Sequence, residues 1–242
     1  MPAIDDLAAL RSELDTKGFT ILEAVYTQTE VDKLIEIIHE VDPEKETFRR
    51  SAQLFAIRQF LKEIPEAVPL IFNDRLTALI HEAFGAEYFP VKSIYFDKPA
   101  SSNWFVAYHQ DLTISVNKKI THPDYGPWTT KQGQFAVQPP LRILQNLFTI
   151  RIHLDDTDED NGALKVIPGS HRKGIFRPET LVPAQETESI CRVGKGGVML
   201  MKPLLLHASG RSTNHKRRRV IHIEFSKNTL PEGMNWPEKI LV

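Results

Sequence analysis

The sequence predicts an α+β fold, a mainly helical first third followed by an antiparallel β sandwich or barrel. Two features predict it. Up to about residue 85, apolar residues recur at three- and four-residue spacing, the period of a helix with one buried face. From about Phe89 the chain changes to short runs of β-branched and aromatic residues separated by Pro, Gly, Asn and Asp, the pattern of strands joined by turns. At 242 residues, 41% hydrophobic and 25% charged, the chain can build one large core and is excluded from the disordered class.

Each element has its own signal. Asp5 to Thr16 places Leu7, Leu10 and Leu14 on one helical face. After Gly18, GFTILEAV alternates as a strand. Thr27 with Glu30 three residues on is a capping box, so VDKLIEIIHEV continues as a helix. A further helix runs from Asp74 to Phe84 and stops at Gly85. SIYFDKP, WFVAYHQDLTISV, LFTIRIHLDD, GALKVIPGS, GGVMLMKPLLLHAS and RRVIHIEF read as strands. Asn117 to Pro140 is rich in Pro, Gly and aromatics without a period, and reads as a structured lid. Asn161-Gly162 reads as a tight turn between two strands.

Composition excludes several classes. Thirty basic against 31 acidic residues give a net charge of −1, so no global field draws the protein to nucleic acid or an anionic membrane. The single cysteine, Cys191, excludes an internal disulfide and a cysteine-rich zinc site, and points to a reducing compartment. It is expected to be buried and inert. The opening MPAIDDLAALRSELD is no secretory signal, and no apolar run approaches the roughly 18–20 residues of a membrane span. A soluble, cytoplasmic protein is expected, with a small-molecule substrate and neither nucleic acid nor membrane as partner. HKRRR (215–219) runs into an apolar strand, where alternation turns Arg217 and Arg219 away from Arg218. DDTDED (155–160) lacks the ligand spacing of a calcium loop and reads as a solvated acidic turn.

The chemistry rests on His109, Asp111 and His207. On a strand, residues two apart share a face, so AYHQDLT presents an imidazole beside a carboxylate. A His-x-Asp pair alone is weak, and a hydrogen-bonded surface pair is its plain alternative. His207, in LLLHAS, would complete a two-histidine, one-carboxylate face of the kind that holds non-haem Fe(II) with open positions opposite. Arg218 follows it, a cationic fork suited to a dicarboxylate. Two histidines and a carboxylate also suit catalytic zinc, but a zinc hydrolase would need a general-base Glu, as in a helical HExxH, and the sequence has no such motif. A non-catalytic jelly-roll metal-binding module is the third reading.

His109-Gln110-Asp111, TIRIHLDDTDEDNGALKVIPGSH and LLLHASGRSTNHKRRRVIHIEF, in that order, resemble the phytanoyl-CoA dioxygenase (PhyH) family of Fe(II)/2-oxoglutarate-dependent oxygenases over about Ile94 to Phe225. The resemblance implies one domain over 1–242 built on a double-stranded β-helix, a cupin-like jelly roll. Residues 1–88 would be its mainly helical support, 89–228 the jelly-roll core with a lid at 117–140, and 229–242 a C-terminal tail. It implies Fe(II) on His109, Asp111 and His207, with 2-oxoglutarate as cosubstrate, dioxygen as oxidant and ascorbate in support. Arg218 would hold the distal carboxylate with help from Ser209, and Gln110 would touch the cosubstrate. The implied reaction is hydroxylation of a small molecule coupled to decarboxylation of 2-oxoglutarate to succinate and CO2. The sequence departs from the family at Arg151, where Trp is usual in the cosubstrate pocket.

By parity Thr149, Arg151, His153 and Asp155 share one face, and Ile150, Ile152 and Leu154 the other. Facing inward, Arg151 would bind a second carboxylate, on 2-oxoglutarate or on an acidic substrate; facing outward, it and His153 would pair with surface acids. Trp128, Thr113 and His153 are the candidate substrate contacts. His171 and His222 read as structural, and His222 shares the parity of Arg218. The substrate is expected to be small and polar or carboxylated.

Overall fold

A computed structural model describes residues 7–41, 48–50, 55–100, 104–131, 133–176 and 187–240. The first two residues of the expected opening helix, Asp5 and Asp6, lie outside them. Helix α1 (Leu7–Thr16) buries Leu10 and Leu14 and leads into β1 (Phe19–Leu22). Helix α2 (Gln28–His39) opens on the expected capping box: the Thr27 hydroxyl accepts from the Glu30 amide at 3.3 Å, and the Glu30 carboxylate accepts from the Thr27 amide at 2.7 Å. Two strands, β2 (Phe48–Arg50) and β3 (Phe55–Arg58), interrupt the region expected to be mainly helical. The short helices α3 (Phe60–Glu63) and α4 (Val68–Ile71) follow, then α5 (Asp74–Phe84), capped by Asn73 and ended at Gly85.

The β region contains β4 (Phe89–Lys98), β5 (Val106–His109), β6 (Ile114–Val116), β7 (Trp128–Lys131) and β8 (Gln134–Val137). Helix α6 (Leu141–Gln145) precedes β9 (Phe148–His153) and β10 (Leu164–Val166). The chain closes with β11 (Ser189–Cys191), β12 (Val198–Met201), β13 (His207–Ser209) and β14 (Arg218–Ser226). Among the described residues these strands form three antiparallel sheets. The largest has the order β1-β12-β9-β14-β4-β3-β2, the second β11-β10-β13-β5, and the third β6-β8-β7.

Strand parity divides the large sheet into two chemically distinct faces. Ile150, Ile152, Leu154, Ile221, Ile223 and Phe225 join Leu34, Leu76 and Ile80 of the helices in the main core. Phe84, Phe148 and Phe225 stack there, with centroids 3.7 and 4.8 Å apart. The opposite face carries polar side chains in register. Arg58, Ile94, His222 and Arg151 lie in one row across β3, β4, β14 and β9, and Lys92, Glu224 and Thr149 in the next. Arg151 and His153 are therefore buried, which removes the outward-facing alternative. This polar face borders a cavity whose other wall comes from β5, β10 and β13 of the second sheet.

Two expectations change. The segment Asn117 to Pro140 is not irregular: β7 and β8 pair within it, and β8 pairs with β6. Asn161-Gly162 makes no tight turn between paired strands, because β9 and β10 belong to different sheets. It ends a short 3₁₀ turn whose capping box joins Asp158 and Asn161. The acidic run around it is largely solvated as expected, with Asp156, Glu159 and Asp160 exposed, and Asp155 alone is drawn into a mostly buried pair with Arg219. The residues after β14 are also packed in. Met234 and Trp236 join the cluster under the third sheet, Asn235 and Asn117 exchange backbone and side-chain bonds, and Glu238 accepts from both Ser93 donors. Among the described residues no helix is long and apolar enough to cross a membrane.

Candidate active site

The site begins where β5 ends. His109 closes that strand and faces His207, the first residue of β13, with ring centroids 4.2 Å apart and a shift of register beside them. Asp111 lies past the strand end, not on it as strand alternation predicts. It is held instead by its own amide, which donates to the Pro203 carbonyl at 2.9 Å. One ligand atom from each of His109, Asp111 and His207 lies within 4.8 Å of the others, and His207 Nε2 is 3.8 Å from Asp111 Oδ2. Each imidazole rests Nδ1 on the carbonyl two residues earlier, Ala107 at 2.9 Å and Leu205 at 2.8 Å. That contact assigns the hydrogen to Nδ1 and leaves both Nε2 lone pairs for a cation. Burial pushes His207 down to about 4. Asp111 is also buried, which raises its carboxyl, yet the net direction is downward; with His207 neutral, the standing positive charge beside it is that of Lys92. Neutral imidazoles and an ionised carboxylate are the donor set that a divalent transition metal requires.

The same cavity, about 300 Å³, is bordered by Arg218, Arg151, Ser209 and His222. Arg218 is 5% exposed; its Nη1 donates to the Gly162 carbonyl and, at 3.3 Å, to Ser209 Oγ. Ser209 in turn donates to the Gly162 carbonyl at 2.9 Å. Arg218 Nε has no partner, and no carboxylate pairs with the guanidinium among the described residues. Burial lowers Arg218 to about 9 and Arg151 to about 10, and Arg151 adds to the shift at Arg218. Two buried guanidiniums that make no ion pair, Arg218 with no carboxylate acting on it and Arg151 with only the attraction of Asp111, mark a site for an anion. The triad and this cationic end fit a metal together with a chelating dicarboxylate.

Comparison with known proteins agrees with this chemistry. The pattern of the family described as Phytanoyl-CoA dioxygenase (PhyH) matches residues 14–220. The chain belongs to the phytanoyl-CoA dioxygenase family. Over 95% of its length it is 23% identical to an uncharacterized protein of Mycobacterium tuberculosis, Rv1501, covering 79% of that protein. Its fold is similar to that of EctD from S. alaskensis, solved with 2-oxoglutarate and 5-hydroxyectoine, at a TM-score of 0.70 and 19% identity over 96% of this chain and 79% of that one. It is similar also to the epimerase SnoN, solved with Fe3+, alpha ketoglutarate and nogalamycin RO, at a TM-score of 0.69 and 14% identity over 95% and 92%. Family and fold together support a 2-oxoglutarate-dependent oxygenase-type function.

Within this phytanoyl-CoA dioxygenase family member, other expected site residues divide. Thr113 borders a second lobe of the cavity, about 350 Å³, beside Ser115, Thr129, Gln134, Arg58 and Lys92. Trp128 does not border it. Its half-buried ring packs with the apolar cluster under the third sheet, and its strand neighbour Thr129, itself exposed, borders the lobe instead. His153 is buried against Thr157 Oγ1 at 2.8 Å and stays out of the cavity lining. Gln110 does not turn toward the Arg218 end. Its amide donates to the carbonyls of Gly174 and Leu204 and accepts from the Phe176 amide, pinning the loop after the 3₁₀ turn Ser170–Lys173. Lys92, Glu224 and Arg58 were not anticipated. A signal for the first two existed: charged residues at inward parity on otherwise apolar strands. Arg58 had none, because β3 was not legible. Outside the site, Cys191 is buried with its thiol pushed up to about 12, His171 bonds the Asp15 carbonyl, and Arg217 and Arg219 pair with Asp97 and Asp155.

Proposed function

We propose that this protein is an Fe(II)/2-oxoglutarate-dependent dioxygenase that hydroxylates a small polar metabolite in the cytoplasm, releasing succinate and CO2. The observation carrying this reading is the convergence of His109, Asp111 and His207 in one cavity with the buried, uncompensated Arg218. On this reading the two facing sheets are a double-stranded β-helix, and the chain is a single oxygenase domain. Bound iron supplies redox chemistry that no side chain has, coupling dioxygen and oxidative decarboxylation to insertion of one oxygen atom into substrate, the other entering succinate. The remaining work belongs to the chain. His109 and His207 offer Nε2 in a preset tautomer, and Asp111 contributes the negative charge. Arg218, steadied by Ser209 and Gly162, receives the distal carboxylate of the cosubstrate. The lobe under the β7–β8 hairpin, lined by Thr113, Ser115, Thr129 and Gln134, receives the substrate. Its size lies at the lower end of small-molecule pockets.

The test is turnover. Fe(II), ascorbate and 2-oxoglutarate under air are expected to give succinate with the wild-type protein and none with Asp111→Ala. Bound zinc after anaerobic purification, with no binding of 2-oxoglutarate, would overturn the reading in favour of hydrolysis.

A further inference from the structure

One buried cation has no task in the reaction proposed above. Arg151 is 7% exposed, stands directly opposite His222 in the β9–β14 ladder and borders the cavity together with Asp111, His207 and Arg218. Its Nε has no hydrogen-bond partner, and among the described residues no carboxylate pairs with it. A guanidinium in that state is strongly unfavourable unless the cavity supplies the missing charge.

A chain of contacts fixes its direction. Arg151 Nη1 lies 3.1 Å from His222 Nδ1, His222 Nε2 lies 3.2 Å from Glu224 Oε1, and Glu224 takes Lys92 Nζ at 2.6 Å. Arginine only donates, so His222 Nδ1 accepts, and the ring hydrogen sits on Nε2 and points at Glu224. The chain is satisfied in one sense only, and it leaves Arg151 Nε unspent. Position decides what that donor meets. A ring nitrogen of His222 lies within 4.8 Å of an Asp111 oxygen, so Arg151 stands at the triad end of the cavity, whereas Arg218 stands against Ser209 and Gly162. Arg151 does not border the substrate lobe, where Arg58 and Lys92 are the cations.

We infer that Arg151 is a second carboxylate-binding residue of the cosubstrate pocket, engaging the carboxylate nearest the triad while Arg218 engages the far one, with His222 as its positioning residue. The inference rests on the 2-oxoglutarate reading and settles which ligand Arg151 serves.

Calorimetric titration of the Mn(II)-loaded protein under nitrogen tests it, with 2-oxoglutarate and with 2-oxopentanoate, which lacks the distal carboxylate. Arg151→Met is expected to weaken both keto acids by roughly ten- to a hundredfold, and Arg218→Leu to weaken 2-oxoglutarate alone. His222→Gln keeps an acceptor for Arg151 and a donor for Glu224, and is expected to bind within a few-fold of wild type. His222→Leu is expected to lose about tenfold. Ligand-free Arg151→Met is expected to melt above the wild type, because a buried guanidinium with no ion pair has gone, a gain that outweighs the lost His222 bond and the attraction of Asp111. An arginine with a purely structural role would give the opposite sign. Arg151→Gln serves in its place should the methionine variant not fold. Unchanged affinity of the Arg151 variants for both keto acids overturns the inference, and so does weakening of 2-oxoglutarate alone. Unchanged affinity of Arg218→Leu for 2-oxoglutarate instead overturns the reading beneath it.

Discussion

A glycine with no chemistry of its own builds the anion end of the cavity. Gly162 has φ +88, and its carbonyl accepts from both Arg218 and Ser209. A Cβ there would stand 2.8 Å from the Gly210 carbonyl and 2.8 Å from Lys98 Nζ, so backbone conformation and space both demand glycine. Gly162→Ala is expected to cost about 1 kcal/mol of stability or more. Because the displaced carbonyl orients Arg218, it should also weaken 2-oxoglutarate binding several-fold, measured by calorimetry beside a thermal melt. Lost stability with unchanged affinity would separate this turn from the site. At this scale the sequence is legible where one residue type implies one partner. Alternation alone turned Arg218 away from Arg217 and Arg219, and offered an inward Arg151. Gln110 and His153 were not legible, because an amide bonded to distant carbonyls and an imidazole bonded to Thr157 leave no trace in local pattern.

Secondary elements were legible where their ends carry side-chain chemistry. Thr27 with Glu30, and Phe84 before Gly85, mark helix ends through capping groups within a few residues, so α2 and α5 fall where expected. Strands β3 and β7 carry no such marks. Phe55–Arg58 is four residues inside a helical texture, and Trp128–Lys131 follows Pro127 in a run rich in turn formers; each exists because a neighbouring strand pairs with it. The segment after β14 depends on Glu238, whose carboxylate accepts from the Ser93 amide at 3.1 Å and from Ser93 Oγ. Burial raises this carboxyl to about 7, the Ser93 bonds opposing only part of the shift. A carboxyl that binds its proton more tightly in the folded state adds stability that is complete below its ordinary value of 4.5 and is lost as pH rises through about 7. Wild type and Glu238→Gln are therefore expected to differ in pH dependence. The denaturation midpoint of the wild type should fall relative to the variant between pH 5 and pH 8. A constant gap across that range would show that Glu238 does not titrate there.

For the whole molecule, the decisive fact is that the cavity has two walls from different sheets. His109 and His207 come from β5 and β13, Arg218 and His222 from β14, and Arg151 from β9. The resemblance to a family supplied this arrangement; composition and period alone reached only an antiparallel sandwich or barrel, because neither says which faces meet. A ligand spanning the two walls binds the folded chain and not the unfolded one, so it stabilises by mass action. At about one hundred times its dissociation constant, 2-oxoglutarate with Mn(II) would add roughly 2.7 kcal/mol. For a chain of this size that corresponds to a rise in melting temperature of roughly 5–10 °C. Calorimetry is expected to show the rise as a single displaced transition, since tying the sheets together leaves neither free to melt first. Arg218→Leu should shorten the rise without splitting it. A rise of the same size in that variant would mean that the cosubstrate gains nothing from the β14 wall. Two separated transitions in the liganded wild type would mean that it grips one sheet only.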